Sequence, residues 1–262
     1  MKRLLRLLPL ALFGVAALDA KDPSVDPQEI IRRFAEKESE FRSVWQKYTY
    51  TQRISFEVLD NSDRVRERRD MKIEVYFTND GQRKTRVVSD RGALRSVGVT
   101  DEDIQDALSL QPFVLTTEEL PNYQIKYEGR EWVDLLDTYI FDVEPRKMEK
   151  DKRYFKGRIW VDTLDFQIVM TRGKAVPDYA DNKFPEFETR REQIDGQYWF
   201  PTWTMADDVL YFGSFYDRQG VHIREIITYD DYQKFEVDTT IKYGPVQGPV
   251  QDEEPIQENP EE

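Results

Sequence analysis

Between Phe155 and Lys174 the chain reads FKGRIWVDTLDFQIVMTRGK, and this stretch limits the fold more than any other. Phe155, Ile159 and Val161 share one register, and Phe166, Ile168 and Met170 carry it on after a tight turn. Lys156, Arg158, Gln167 and Thr171 take the opposite register. A period of two with one apolar side predicts an antiparallel hairpin, wet on one face and dry on the other. The pattern recurs along most of the chain. A sheet of this kind must have its apolar side covered or filled, and what fills it is the functional question.

The helices are read from a different period. Asp26-Pro27-Gln28-Glu29 is a helix start, with Asp26 as cap, Pro27 at the first position and Glu29 closing a capping box. Ile30, Ile31, Phe34, Phe41, Val44 and Trp45 then fall on one stripe, which predicts an amphipathic helix over 27–46 packed on the domain's own core. Thr100 to Asp103 predicts the cap of a short helix over 101–110.

From Tyr48 the period is two again. Tyr48, Tyr50, Gln52, Ile54 and Phe56 form the first strand, and Val65–Phe77 the second, with Met71, Ile73, Val75 and Phe77 on one side. Turns are predicted at Asn61-Ser62-Asp63, Asn79-Asp80-Gly81, Asp195-Gly196 and Asp217-Arg218-Gln219-Gly220. Further strands are predicted at 83–88, 123–127, 138–143, 186–194, 198–204, 209–216 and 221–229, with a last one over 232–241. The fold class is therefore mainly β (α+β): an open, strongly curved antiparallel barrel of about 10–11 strands, covered by an N-terminal helix and a short internal one. The 15 Phe, 14 Tyr and 5 Trp suit such a sheet.

The ends are different in kind. Lys2, Arg3 and Arg6 precede an apolar run from Leu7 to Leu18, followed by small residues, so residues 1–20 are expected to be a cleaved secretory signal peptide. A membrane span needs roughly 20 apolar residues, and this run is shorter. Export into the periplasm is the expected localisation. Residues 244–262 are acidic and rich in proline, a composition that predicts a disordered tail. The domain proper is expected over 21–243.

Charge and composition narrow the function. A net charge of −13 disfavours nucleic acid and anionic membrane surfaces as partners. There is no cysteine, so a packed core has to hold the fold. The single histidine, His222, follows a turn and reads as a surface residue. No nucleophile elbow, HExxH, phosphate loop or dinucleotide fingerprint occurs. Asp207-Asp208 and Asp230-Asp231 lack the ligand spacing of a calcium loop. No catalytic residue, metal or cofactor is therefore assigned, although two carboxylates at glycosidase separation could not be picked out from sequence. The aromatics offer more. Trp45, Tyr48, Tyr50, Phe56, Ile73, Val75, Phe77, Trp160, Ile168, Phe200 and Trp203 are the candidate lining of an apolar cavity, with plain core packing as the competing reading for each.

The order of these motifs resembles the outer-membrane lipoprotein-sorting proteins, the superfamily of the carrier LolA, the acceptor LolB and the regulator RseB. The resemblance runs through an aromatic strand ending in Gln (Tyr48 to Gln52), the strand leading to Asn79-Asp80-Gly81, and the Gly157–Asp162 and Phe166–Val169 hairpin. It continues with Ile194 to Pro201 and closes with Ile227 to Tyr232 followed by Phe235. It implies an open barrel with helices at its mouth, and lipid or lipoprotein acyl chains as ligand. A monomer is expected, with a membrane-protein donor or acceptor as further partner. In the carrier a strand arginine helps hold a helical lid, and Arg53 beside Gln52 lies near that position. The helix over 27–46 is the expected movable cover. An RseB-like sensor or interaction module is the alternative. Greater length, higher acidity and the C-terminal tail separate this chain from the carrier.

Overall fold

A computed structural model describes residues 26–78, 80–150, 152–178, 183–213 and 219–235. The expected signal peptide, the acidic tail, Asn79 of its turn, the first half of the 217–220 turn and the end of the last predicted strand lie outside these residues.

Two helices and ten strands follow in order: α1 (Pro27–Trp45), β1 (Tyr48–Leu59), β2 (Val65–Phe77), β3 (Arg83–Ala93), α2 (Asp101–Ser109), β4 (Tyr123–Val133), β5 (Leu136–Pro145), β6 (Tyr154–Asp162), β7 (Ile168–Val176), β8 (Phe187–Gln193), β9 (Trp199–Phe212) and β10 (Gln219–Lys234). The strands form one antiparallel sheet in the order β3-β2-β1-β10-β9-β8-β7-β6-β5-β4. It is curved and open, as the alternation predicts. Sequential neighbours pair everywhere except between β3 and β4, where the chain leaves the sheet to build α2. The first and last strands pair instead, Ile54 opposite Ile227, so the opening falls in mid-sequence.

The turns form for local reasons. The Asp60 carboxylate accepts from the backbone N–H of Ser62 at 2.8 Å and of Arg64 at 3.1 Å, which closes the β1–β2 turn. Gly196 sits at φ 76°, where a side chain would be strained, and Asp195 accepts from Tyr198 N at 2.8 Å. Asp26 caps α1 by accepting from Gln28 N at 3.0 Å. Glu29 does not close a capping box. Its carboxylate binds the guanidinium of Arg32, one turn on, at 2.7 Å, because an arginine three residues away outcompetes a backbone N–H. The reciprocal box forms at α2, between Thr100 and Asp103.

The dry face of the sheet is filled. The first half of α1 lays Ile30, Ile31, Phe34 and Ala35 against Phe141, Phe155, Ile159 and Ile168. Its second half seats Phe41 against Tyr48 and Phe200. Helix α2 places Ala107 over Ile54, Ile73 and Ile227. A smaller cluster of Ile140, Trp160, Val169 and Met170 lies on the other, outer face.

That outer cluster corrects the reading of the central hairpin. Trp160 pairs with Met170, but Val161 pairs with Ile168, so one residue of β7 is bulged. Beyond the bulge the phase inverts: Met170 faces out and Thr171, expected on the wet side, is buried inward. A bulge adds one residue to one strand, so strict alternation in the sequence places every later side chain on the wrong face.

Candidate functional site: an apolar cavity and its covers

Residues 107–117 cross the inner face as a strap, and strand and helix side chains bind its carbonyls. Gln52 Nε2 donates to Ala107 O at 2.8 Å. Thr189 Oγ1 donates to Gln111 O at 2.9 Å. Arg191 donates to Phe113 O, and Arg42 to Val114 O at 3.2 Å. Thr117 N donates to the Ser39 hydroxyl at 3.1 Å. Buried main-chain groups need partners, and here polar side chains projecting from the sheet and α1 supply them. Gln52, Thr189 and Arg191 are buried for this purpose.

One ion pair joins the strap, α1 and the sheet. Glu38 of α1 and Arg191 of β8 meet at 2.9, 3.2 and 3.2 Å, with side chains 0 % and 1 % exposed. Burial lifts the Glu38 carboxyl above its ordinary range despite the opposing pull of Arg191. The guanidinium also lies 5.0 Å from the centre of the Phe41 ring. Arg191 thus ties β8 to α1. Arg53, expected near a lid, points outward, half exposed, and pairs with Asp230 and, at 3.7 Å, Asp231. The physical reason is alternation. Gln52 is an inward position of β1, so its successor must face solvent.

Two spaces among the described residues flank the strap. The first is a cavity of about 290 Å³ between α2, residues 94–100 and the ends of β8, β9 and β10. Phe56, Val99, Phe187, Leu210, Val221 and Ile223 give it apolar walls. One end is polar, with Asp103, Asp106, Gln111 and Glu225. Glu225 is fully inside and accepts from Gln111 Nε2 at 2.7 Å. Burial pushes its carboxyl up to about 7. Burial likewise pushes Asp106 up to about 6, against the pull of Arg153 at 3.3 Å. The second space, about 360 Å³, is a more polar groove between the end of α1 and the strap, lined by Arg42, Trp45, Tyr50, Arg83, Leu108 and Phe113.

The sequence-predicted lining divides accordingly. Phe56 borders the apolar cavity, while Trp45 and Tyr50 border the polar groove. Tyr48, Ile73, Val75, Ile168 and Phe200 are on the inner face but packed solid against the two helices. Phe77 stacks on Phe235, ring centres 4.3 Å apart, beside the β3 edge. Trp160 and Trp203 are not inside. Trp160 belongs to the outer cluster. Trp203 precedes the inward Thr204, which meets the Tyr229 hydroxyl at 3.2 Å, so it faces out. His222 binds Asp207 at 2.5 Å on the outer surface.

Glu38, Arg191, Asp106, Gln111 and Glu225 are absent from the sequence-derived set. Two of them leave a signal. Glu38 occupies a position on the apolar stripe between Phe34 and Phe41. Glu225 sits in the inward series Ile223, Ile227, Tyr229. A charged residue at an apolar phase is the mark of a buried polar site.

No family model matches this sequence, and no curated protein sequence does. Among solved structures, a DUF1329 family protein from Desulfovibrio piger is similar at 15% identity over 83% of this chain and 95% of that one, with a TM-score of 0.41. A LolA superfamily protein from Nitrosomonas europaea matches at 12% identity over 82% and 96%, with a TM-score of 0.39. A putative outer membrane lipoprotein-sorting protein domain from Vibrio parahaemolyticus matches at 9% identity over 82% and 95%, with a TM-score of 0.36.

Proposed function

We propose that this protein is a non-enzymatic lipid-binding protein of the bacterial periplasm, which holds an acyl chain inside its curved sheet. The observation that carries this reading is the 290 Å³ apolar cavity beside the strap. It is about twice the ~150 Å³ engineered cavity that binds benzene, so it has room for roughly a dozen carbon atoms. Each buried methylene would contribute about 0.8 kcal/mol. Helix α1 and the strap close the inner face through buried apolar side chains as well as hydrogen bonds and an ion pair, so they form a fixed wall. The cavity lies to one side of them, beside α2 and residues 94–100. Delivery of lipoprotein anchors or transfer of another envelope lipid would both use this arrangement.

Native mass spectrometry with lipid extraction, on protein purified from the periplasm, tests the reading. A co-purifying lipid or acylated peptide is the expected result. Ala175 lies on the cavity wall, so Ala175→Phe should fill the space and abolish uptake while the fold persists by circular dichroism. A lipid-free protein that also rejects added lipid would overturn the proposal.

A second reading has its own observation. Strand β3 is an exposed sheet edge eleven residues long, with Val87 and Val88 facing solvent. Such an edge can accept a strand from a partner, which fits an interaction module acting on a membrane protein. A proline at Val87, checked by pull-down, separates this role from lipid carriage.

A further inference from the structure

Resting on the acyl-binding reading, we propose that the cavity selects a single-chain amphiphile whose head group is a protonated amine, and discriminates against free fatty acids. Three carboxyl residues, Asp103, Asp106 and Glu225, line the cavity, against one cation, Lys183. Asp103 is engaged by Thr100, whose N–H and hydroxyl donate to it at 2.6 and 2.8 Å. Asp106 faces Arg153, which also reaches Glu102 at 3.4 Å. Glu225 has no cation: among the described residues it makes no ion pair, and its one hydrogen bond comes from Gln111.

Gln111 supplies the second, independent observation. It lines the cavity and is 6 % exposed; its Nε2 is spent on Glu225, and its Oε1 is buried without a partner. The site therefore presents unfilled acceptors, one neutral and one anionic, at the end of an apolar chamber. A buried acceptor without a donor is costly, and a buried carboxylate without a cation more so. A ligand that brings only donors satisfies both. An ammonium has three donors and no acceptor. A carboxylate head has only acceptors and would add a fourth negative group. The chamber beyond is lined by Phe56, Leu210 and Ile223 and takes the alkyl chain.

Isothermal titration of the full-length secreted protein with dodecylamine and with laurate, both below their micelle concentrations at pH 7.5, tests the proposal. Dodecylamine should bind ~10-fold or more tightly than laurate, the difference of one charge-assisted contact. Glu225→Gln should remove most of that preference and leave laurate binding unchanged or improved. Adsorption of the amine to an acidic surface would survive both Glu225→Gln and Ala175→Phe, and would overturn the proposal. Laurate binding as tightly as dodecylamine overturns the head-group selection but leaves acyl binding standing. Failure of both to bind overturns the lipid-binding reading as well.

Discussion

Replacing Arg191 by methionine probes the joint on which α1, the strap and the sheet all depend. Methionine fills much of the same volume but carries no charge. Glu38 would then be left as a buried carboxyl whose one remaining contact is the Ile168 N–H at 3.4 Å. Breaking a buried pair by removing one partner costs about 3–5 kcal/mol. The Phe113 carbonyl loses its donor too, for about 1–3 kcal/mol. The stability of a domain is only about 5–15 kcal/mol, so the single variant should be strongly destabilised. The informative step is the second substitution. Glu38→Gln in the Arg191→Met background removes the stranded charge but keeps a carbonyl for Ile168, so it should restore about 2 kcal/mol or more. Glu38→Gln alone should destabilise, since it strands Arg191. Urea denaturation followed by tryptophan fluorescence would measure all three variants. The reasoning is refuted if Arg191→Met costs under about 1 kcal/mol, or if the second substitution adds to the loss. Hydrogen exchange in α1 should accelerate in Arg191→Met ahead of exchange in β1 and β10, because the helix is what the pair holds down.

Two further predictions concern the cavity wall and the hairpin. Glu225 is pushed from an ordinary 4.5 up to about 7 by burial, and a carboxyl with a raised folded pKa makes the native state bind a proton that the unfolded chain releases. Stability from this group is therefore complete below about pH 4.5 and is lost as pH rises through 7, by up to about 3 kcal/mol. Asp106 on α2, raised to about 6, acts in the same direction, and Arg153 limits its rise. Glu225→Gln should match the parent near pH 4.5 and exceed it at pH 8 in thermal melts, whereas a constant difference across that range would contradict the assignment. At the β6–β7 crossing, Gly157 and Gly173 lie directly opposite each other. A Cβ on Gly173 would fall 2.8 Å from the Phe155 ring and closer still to the Lys156 carbonyl. Gly173→Ala should cost about 1–3 kcal/mol through this overpacking, and an unchanged urea midpoint would show that the strands part more easily than the geometry implies.

Local order was legible in the residues themselves. Alternation of apolar side chains marks strands, three-to-four spacing marks α1, and Asp or Gly marks turns, because each effect acts within a few residues along the chain. The helix start at Asp26 and a sheet of about ten strands follow from such signals, although the segments read as separate strands at 198–204 and 209–216 are one strand, β9, and the strand read at 221–229 runs on to Lys234 in β10. The tertiary structure decided everything that depends on phase or on distant partners. A bulge at Val169 turned Met170 out and Thr171 in, and the wide β3–β4 connection placed the sheet opening in mid-sequence. Arg191, rather than Arg53, holds the helix because β8 brings it 153 positions along the chain to Glu38. The cavity head exists because the strap sets Gln111 beside Glu225, 114 positions away. Periodicity says that a side chain faces inward. Only the packed sheet says what it meets there, and at Glu38 and Glu225 that difference separates a misplaced charge from the two polar centres of the protein.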